Sequence, residues 1–173
     1  HGVLRVSAAI TFGRLHVAPL LPRLTQQHPG LVCELILTDQ LVDLADDQID
    51  LALRLTRTPP QDAVVRRLAT LDRVICAAPA YLDAHGTPQG AADLPVHQTL
   101  SFLLTDDNQW HLTGPDGQDH VIPVTSRVRT NSTDCLLDIT LAGQGIAILP
   151  LYLAAPLIAA GQLRAVLPGY DVH

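Results

Sequence analysis

The stretch LVCELILTDQLVDLADDQIDLALRLT, residues 31–56, decides the fold class. Residues 31–38 and 49–56 are near-continuous apolar runs of strand length, and Asp39 can cap a helix over residues 40–48. A strand, a helix and a strand at this spacing predict two parallel strands joined by a right-handed crossover. Because both strands are apolar along their length, we expect other elements to cover both faces of their sheet.

The residues before this stretch add one more strand and one more helix. Residues 3–9 form a short apolar strand, and Leu15 and Leu21 then recur near helical spacing. Pro19 and Pro22 interrupt that pattern, and proline is tolerated only in the first turn of a helix or at a kink. The first 56 residues therefore predict an α/β unit with a distorted first helix.

The remainder of the chain predicts a second α/β unit that contains a hairpin. The GPDG tetrapeptide at 114–117 is typical of a hairpin turn. Asn131, Ser132 and Thr133 are candidate caps of a helix that later glycines end. The other predicted elements are extended segments within 64–79, a short helix ending at Gly86, strands at 99–104, 146–150 and 163–168, and a helix at 151–161.

Two lobes are expected from this order of elements. The first would hold residues 1–73 together with residues 152–173, and the second would hold residues 74–151. Two crossover segments would join them. Lobes arranged in this way leave a crevice at the carboxyl ends of their strands, where small ligands bind.

Composition excludes several classes of protein. Hydrophobic residues make up 47% of the 173 residues and charged residues 16%, which excludes a disordered chain. The net charge is −6 and the 11 basic residues are scattered, so the chain lacks the basic stripe that would neutralise phosphates. We therefore expect no direct binding of nucleic acid, and no signal peptide or membrane-spanning run is evident.

The sequence lacks recognisable catalytic and metal-binding motifs. Its eight histidines form neither HxH nor HExxH, and no Cys/His cluster has ligand spacing. No G-x-S-x-G elbow is present, and the GQG at 143–145 ends a predicted helix instead of opening one. Cys33, Cys76 and Cys135 each lie in or beside an apolar run, so we expect buried, reduced thiols in a cytoplasmic protein. No catalytic residue, metal or cofactor is predicted.

An ordered set of motifs runs through the whole chain. The set comprises GVLRVSAAITFG (2–13), APLLPRL, HPG, LTDQLVDLADDQIDLALRL, VVRRLA, CAAPAYLDAHGTP, DLPVHQTL, Trp110 before a hairpin, TN before a helix, GQGIAILPLYL and GQLRAVLPGY. In this order the motifs strongly resemble the effector-binding domain of LysR-type transcriptional regulators. No single motif is decisive, but the ordered set is specific.

This resemblance implies a fold and a role. The implied fold is α/β, with two Rossmann-like subdomains joined by two crossover segments, as in type 2 periplasmic binding proteins. The implied role is to sense a small anionic effector in the cleft between the subdomains. The family's winged helix-turn-helix, which binds DNA, would precede residue 1, and its last strand and helix would follow residue 173.

The resemblance also assigns candidate effector-binding residues in the first lobe. Where the first strand passes into the first helix, free backbone N–H groups favour an anion. The family's contact positions at this turn match Ala9, Ile10, Thr11 and Phe12, and Ser7 adds a hydroxyl. The alternative is that Thr11 is an ordinary helix cap.

Arg54 stands at the end of the third strand, on the expected crevice side of the sheet. An arginine at this place can grip a carboxylate with two parallel hydrogen bonds. The alternative is a structural ion pair with Asp43 or Asp50. Leu55 and Thr56 match positions that line the family's cleft.

In the second lobe, Asn131, Ser132 and Thr133 begin a helix that would face the first lobe's helix start across the crevice. Ordinary helix capping by the same residues is compatible with this role. Three further residues are expected to shape the cleft walls: Pro79, Gly145 and Ile146.

The sequence therefore predicts the ligand-sensing domain of a cytoplasmic regulator, not an enzyme. Its partners would be a small-molecule effector, further copies of itself in a homodimer or homotetramer, and DNA through the missing N-terminal domain only, with no membrane involved. A periplasmic solute-binding protein of a transport system is the alternative. A small α/β enzyme is a third class, which requires an acid/base pair or a nucleophile in the cleft.

Overall fold

The computed structural model describes residues 2–40, 48–56, 63–103 and 108–173. The chain divides into two compact units, His1–Leu68 and Ala69–His173. Each unit has its own strands, helices and buried core, and each is described separately below.

The first unit is built on three parallel strands, β1 (Gly2–Ala8), β2 (Leu31–Leu37) and β3 (Leu51–Leu53). They lie in the order β2-β1-β3, with Val6 of the central strand beside Leu35 on one side and Leu51 on the other. The predicted parallel pairing is confirmed. Most of the helix predicted over 40–48 lies outside the described residues.

The helical segment after β1 is irregular, as the prolines predict. It consists in order of α1 (Ile10–Phe12), a π-helical turn (Gly13–Val17), a 3-10 turn (Ala18–Leu20) and α2 (Leu21–Gln27). Pro19 and Pro22 each lie in the first turn of one of these short pieces. A proline costs little there, because a first-turn N–H has no partner within its own helix.

The core of the first unit lies on one face of its sheet. Val6, Ala8 and Val17 are buried there, and Phe12 and Leu37 pack against them. On the opposite face of β2, Val32, Glu34 and Ile36 are exposed. On that same face Ser7 of the central strand is fully buried, so within the described residues the expectation that both faces are covered is met only in part.

The second unit contains two sheets. The first has the order β10-β4-β9-β5-β8, in which β5 runs parallel to β8 and β9, while β4 runs antiparallel to β9 and β10. The second is the antiparallel sheet β11-β6-β7. The strands are β4 (Arg73–Ala77), β5 (Thr99–Phe102), β6 (Gln109–Thr113), β7 (Asp119–Pro123), β8 (Ser126–Thr130), β9 (Ile146–Pro150), β10 (Arg164–Ala165) and β11 (Asp171–Val172).

The helices and turns of the second unit follow the sequence signals closely. The helices are α3 (Pro79–His85), a 3-10 helix (Ala91–Val96), α4 (Thr133–Leu141) and α5 (Leu151–Ala159). Gly86 ends α3 with a φ of 85°, in the left-handed region that favours glycine. The predicted hairpin turn is confirmed, since Gly117 adopts a φ of 78° and its N–H donates to the Gly114 carbonyl at 2.9 Å.

Aliphatic side chains and one tryptophan fill the second unit's core. Leu94 and Leu149 are fully buried, and Trp110 is nearly so. Cys76 lies inside this core, and its burial raises the pKa of the thiol to about 12. The expectation of three buried cysteines holds for Cys76 and is met in part by Cys33, which is half-buried. It is wrong for Cys135, which is exposed because it lies on the outer side of α4.

The C-terminal segment packs within the second unit, which differs from the expected domain division. β10 pairs with β4 and β11 pairs with β6, so residues 152–173 complete both sheets of that unit. Leu163 and Val166 are buried in its core clusters. The change of unit falls after Leu68 and not after residue 73. The structure therefore gives no support for assigning residues 152–173 to the first lobe.

Candidate functional site

Three strands of the first unit bring polar side chains to one edge of its sheet. Because β1, β2 and β3 are parallel, Ser7, Thr38 and Arg54 lie together at the carboxyl ends of these strands. The Arg54 guanidinium donates through Nη1 to the Thr38 carbonyl and through Nη2 to Ser7 Oγ, both at 2.6 Å. Ser7 is fully buried. Arg54 therefore ties all three strand ends together.

The surroundings of Arg54 are partly desolvated. Burial lowers the pKa of the Arg54 guanidinium, and the nearby Asp39 carboxylate opposes this shift. The alternative pairing with Asp50 is not what the structure has, because Asp50 Oδ2 accepts from the Arg5 backbone N–H at 2.8 Å. Asp43 lies outside the described residues.

Asp39 holds the turn between β1 and α1. Its Oδ1 accepts a hydrogen bond from the Ile10 backbone N–H at 3.0 Å, while its Oδ2 is buried and has no partner among the described residues. Thr11 is also buried, and its hydroxyl likewise has no partner there. Two polar atoms at this edge thus keep an unused capacity for hydrogen bonding.

The remaining predicted residues of the first unit differ in their surroundings. Ala9 precedes α1 in an extended conformation, with no side-chain cap. The Phe12 ring packs against the unit's core and lies 4.8 Å from the His16 ring, between centroids. Leu55 and Thr56 are exposed just beyond Arg54.

In the second unit, polar residues join the carboxyl end of β8 to the start of α4. Ser132 Oγ accepts from the Cys135 backbone N–H at 3.3 Å, which makes Ser132 the helix cap. The Ser132 N–H in turn donates to Thr130 Oγ1 at 3.1 Å. Asn131 is exposed and Thr133 is half-buried. The predicted capping is therefore present, and Asn131 is left accessible.

Pro79, Gly145 and Ile146 lie at the opposite edge of the same sheet. β8 and β9 both run parallel to β5, so Ile146 marks the amino end of β9, whereas the residues after Thr130 follow a carboxyl end. Ile146 is fully buried in the core. That these three residues shape the cleft walls stays a prediction, and they lie at the edge of this sheet opposite to Asn131.

Gly145 has a steric role at its own edge. A Cβ added there would lie 2.6 Å from the Gln98 carbonyl oxygen, a backbone atom that cannot swing away. Nearby, a cavity of about 500 Å³ opens at the amino ends of β5 and β8, and its lining residues are His85, Gln98, Thr99, Leu100, Arg127, Val128 and Gln144. None of the predicted effector-binding residues lines it.

Sequence reasoning missed two members of the first edge. Thr38 contributes its carbonyl oxygen, which any residue would supply, so no sequence signal identifies it. Asp39 follows the apolar strand β2 by two residues, and an acid at such a place is a signal that sequence reasoning can use. It was interpreted as a cap for the following helix, whereas its carboxylate reaches back to Ile10.

Comparison with known proteins gives a consistent result. The family model described as "LysR substrate binding domain" matches residues 1–173. The transcriptional regulator DmlR of Escherichia coli is 34% identical over 171 residues, covering 98% of this chain and 55% of DmlR. The transcriptional activator AaeR of Escherichia coli is 31% identical over 170 residues, with the same coverage. The chain thus spans about half the length of the curated relatives that it matches.

Solved structures show the same fold. CrgA, a LysR-type transcriptional regulator from Neisseria meningitidis, superposes with a TM-score of 0.83 at 26% identity, covering 99% of this chain and 60% of CrgA. The full-length virulence activator AphB of Vibrio cholerae gives a TM-score of 0.86 at 24% identity, covering 99% and 58%. Because AphB is only 24% identical to this chain, the comparison with AphB shows the fold and nothing further.

These matches settle the fold class and the family. The fold is the type 2 periplasmic-binding-like α/β fold of LysR-type regulatory domains. In the described part of the chain, no helix is long and apolar enough to cross a membrane. The match over the whole chain, together with relatives above 30% identity, shows that the protein belongs to the LysR substrate-binding domain family of bacterial transcriptional regulators.

Proposed function

We propose that this domain senses a small anionic metabolite and passes that signal to DNA binding and transcription control. The metabolite would be held by the two subdomains together, at the cleft that the family resemblance implies. The observation that carries the proposal is the polar edge of the first unit, where Arg54, Ser7 and Asp39 surround strand ends that contain unpaired buried groups. Such convergence of polar groups is typical of a binding site.

The mechanism we propose is a shift between two states of the domain. An effector that binds one arrangement of the subdomains more tightly shifts the equilibrium towards it, by as much as its difference in affinity. The DNA-binding domain would be supplied by the N-terminal part that the relatives possess. The cytoplasmic location and the homodimer or homotetramer expected from the sequence belong to this proposal. Since the relatives are transcriptional regulators, we propose neither an enzyme nor a transport protein.

The test is a thermal-shift screen of this domain against small carboxylates. A ligand present at 100 times its dissociation constant should stabilise the domain by about 2.7 kcal/mol, a shift that is easily seen. Any hit is repeated with Thr11→Val and with Asn131→Ala. Neither substitution removes a hydrogen bond that the structure records, so both variants should fold.

Thr125→Val is the matched control, because Thr125 is exposed between β7 and β8. We expect both site variants to reduce the ligand-induced shift and the control to keep it. A hit that survives both site variants would move the binding site elsewhere. If no carboxylate gives a shift, the proposal of an anionic effector fails.

A further inference from the structure

The chemistry of the first unit's edge limits what an effector can present to it. Thr11 Oγ1 and Asp39 Oδ2 are both buried without a hydrogen-bond partner among the described residues. Buried polar atoms are rarely left unpaired, because each unpaired group has lost its hydrogen bonds to water and destabilises the fold. Asp39 is bonded to Ile10, the residue before Thr11, so both unpaired groups belong to one turn, which indicates a place where a ligand completes the hydrogen bonding.

A carboxylate already occupies the position where an anionic ligand would be expected. The Ile10 backbone N–H, the first free donor of the turn, donates to Asp39 Oδ1. A second carboxylate at this point would meet the negative charge of Asp39 and would find that donor used. Two N–H groups of Arg54 are likewise committed, to Ser7 and to Thr38. The position beside Ile10 and Asp39, as distinct from the rest of the edge, is therefore poorly suited to a ligand carboxylate.

We infer that the effector presents a hydrogen-bond donor, a hydroxyl or an ammonium group, to this edge. Asp39 Oδ2 accepts from the donor, and the Thr11 hydroxyl pairs with the same ligand group or its neighbour. The effector class is then a hydroxy acid or an amino acid, whose own carboxylate is bound away from Asp39. This inference rests on the proposed function, because it specifies the ligand of the same site.

Matched ligands test the inference without any mutation. Succinate, malate and aspartate share one four-carbon diacid skeleton and carry no donor, a hydroxyl and an ammonium group, respectively. Benzoate, 3-hydroxybenzoate and 3-aminobenzoate form a second set on an aromatic skeleton. Isothermal titration of the domain with each set, using both enantiomers of malate and aspartate, should show a donor-bearing member binding at least tenfold more tightly than its unsubstituted parent.

Asp39→Asn reverses the hydrogen-bond polarity of this position while keeping its shape. The amide oxygen can still accept from Ile10 N–H, and the amide NH₂ replaces the acceptor Oδ2 with a donor. We expect the variant to lose at least tenfold in affinity for an ammonium-bearing ligand and to gain affinity for the unsubstituted acid. Asp138→Asn, at an exposed site on α4, is the control and should change neither affinity.

The possible outcomes distinguish the inference about Asp39 from the proposed sensing of a small acid. If an unsubstituted acid binds the unaltered protein as tightly as its donor-bearing partners, the inference about Asp39 is wrong while the sensing of a small acid stands. If no acid of either set or of the wider screen binds, both are overturned. The ratio of affinities in the unaltered protein decides the matter even if Asp39→Asn does not fold.

Discussion

The two polar edges, one in each unit, are built from different kinds of contact. In the first unit, Asp39 reaches Ile10 across 29 residues of chain, and Arg54 reaches Ser7 across 47. In the second, the recorded partners of Ser132 are Thr130, Cys135 and Leu136, which lie two, three and four residues away. The first edge is therefore a tertiary structure, held by buried groups from three strands. The second is a local helix start whose polar residues are half-buried, apart from the exposed Asn131.

Because of this difference, we expect folding and ligand binding to depend on the same contacts at the first edge but not at the second. A substitution at the first edge removes contacts that join three strands, so we expect it to affect folding and ligand binding together. A substitution at the second edge removes one local contact, so its effect on folding should be small. The following experiments are arranged from the largest expected effect to the smallest.

The largest loss of stability should come from Gly145→Ala, which adds a side chain where two backbone segments lie in close contact. Gly145→Ala places a Cβ 2.6 Å from the Gln98 carbonyl oxygen, and the two backbone segments must separate to relieve the overlap. In the first unit, the Cβ of Gly13→Ala meets Leu37 Cδ2 at 2.4 Å and Ala8 Cβ at 2.9 Å. The Leu37 side chain has some freedom to move, whereas Ala8 Cβ moves only with β1, and neither contact is to a backbone atom. We expect losses in the free energy of unfolding of about 3 kcal/mol for Gly145→Ala and about 1–2 kcal/mol for Gly13→Ala.

Urea unfolding measures both losses, with circular dichroism for the whole chain and Trp110 fluorescence for the second unit. Trp110 is the single tryptophan of the chain and lies in the core of the second unit. Its fluorescence therefore reports unfolding of the unit that contains Gly145 and not a local change in the first unit. Gly2→Ala is the control, since an added Cβ there meets nothing within 4 Å. Equal losses for the two core glycines would contradict the distinction between a backbone contact and a side-chain contact.

Replacement of Arg54 should have the next largest effect. Arg54→Met keeps the length of the side chain but leaves Ser7 Oγ and the Thr38 carbonyl without the donor, and leaves Asp39 without its nearby cation. We expect a loss of about 2 kcal/mol in the free energy of unfolding. Unfolding followed by circular dichroism should show this loss, while the Trp110 transition of the second unit should change less.

Arg23→Met is the matched control for Arg54, because Arg23 is exposed on α2 and its loss should change stability by less than about 0.5 kcal/mol. A similar result for both arginines would mean that the three strand ends do not depend on the guanidinium. The first edge would then resemble the second, and the comparison between them would lose its basis.

Sequence patterns predicted the local features of both edges and missed the long-range ones. The GPDG turn and the capping by Ser132 depend on a few neighbouring residues, and the parallel strands were predicted from the spacing of short apolar runs; all are present. The bond from Asp39 back to Ile10 is not local, and an acid after a strand is equally consistent with a cap for the next helix.

Long-range pairing explains the larger miss at the C-terminus. β10 contains only two residues and pairs with β4, about 90 residues earlier in the chain. A two-residue strand has no periodicity from which its partner can be inferred. Its membership of the second unit depends on buried side chains such as Leu163, whose packing appears only in three dimensions. The edge at which Gly145 lies likewise depends on strand direction, which the sequence pattern leaves open.

The smallest effect is expected at the second edge, for Ser132→Ala. The substitution removes the side-chain oxygen that accepts from Cys135 N–H, and loss of such a cap costs about 1 kcal/mol in the free energy of unfolding. Thr130→Val, which removes the partner of the Ser132 N–H, should cost less because that partly buried N–H can be solvated. Trp110 fluorescence during urea unfolding measures both. A loss well above 2 kcal/mol for either variant would show that the second edge is also maintained by contacts beyond its own helix start, so that ligand binding and folding would be coupled at both edges and not only at the first.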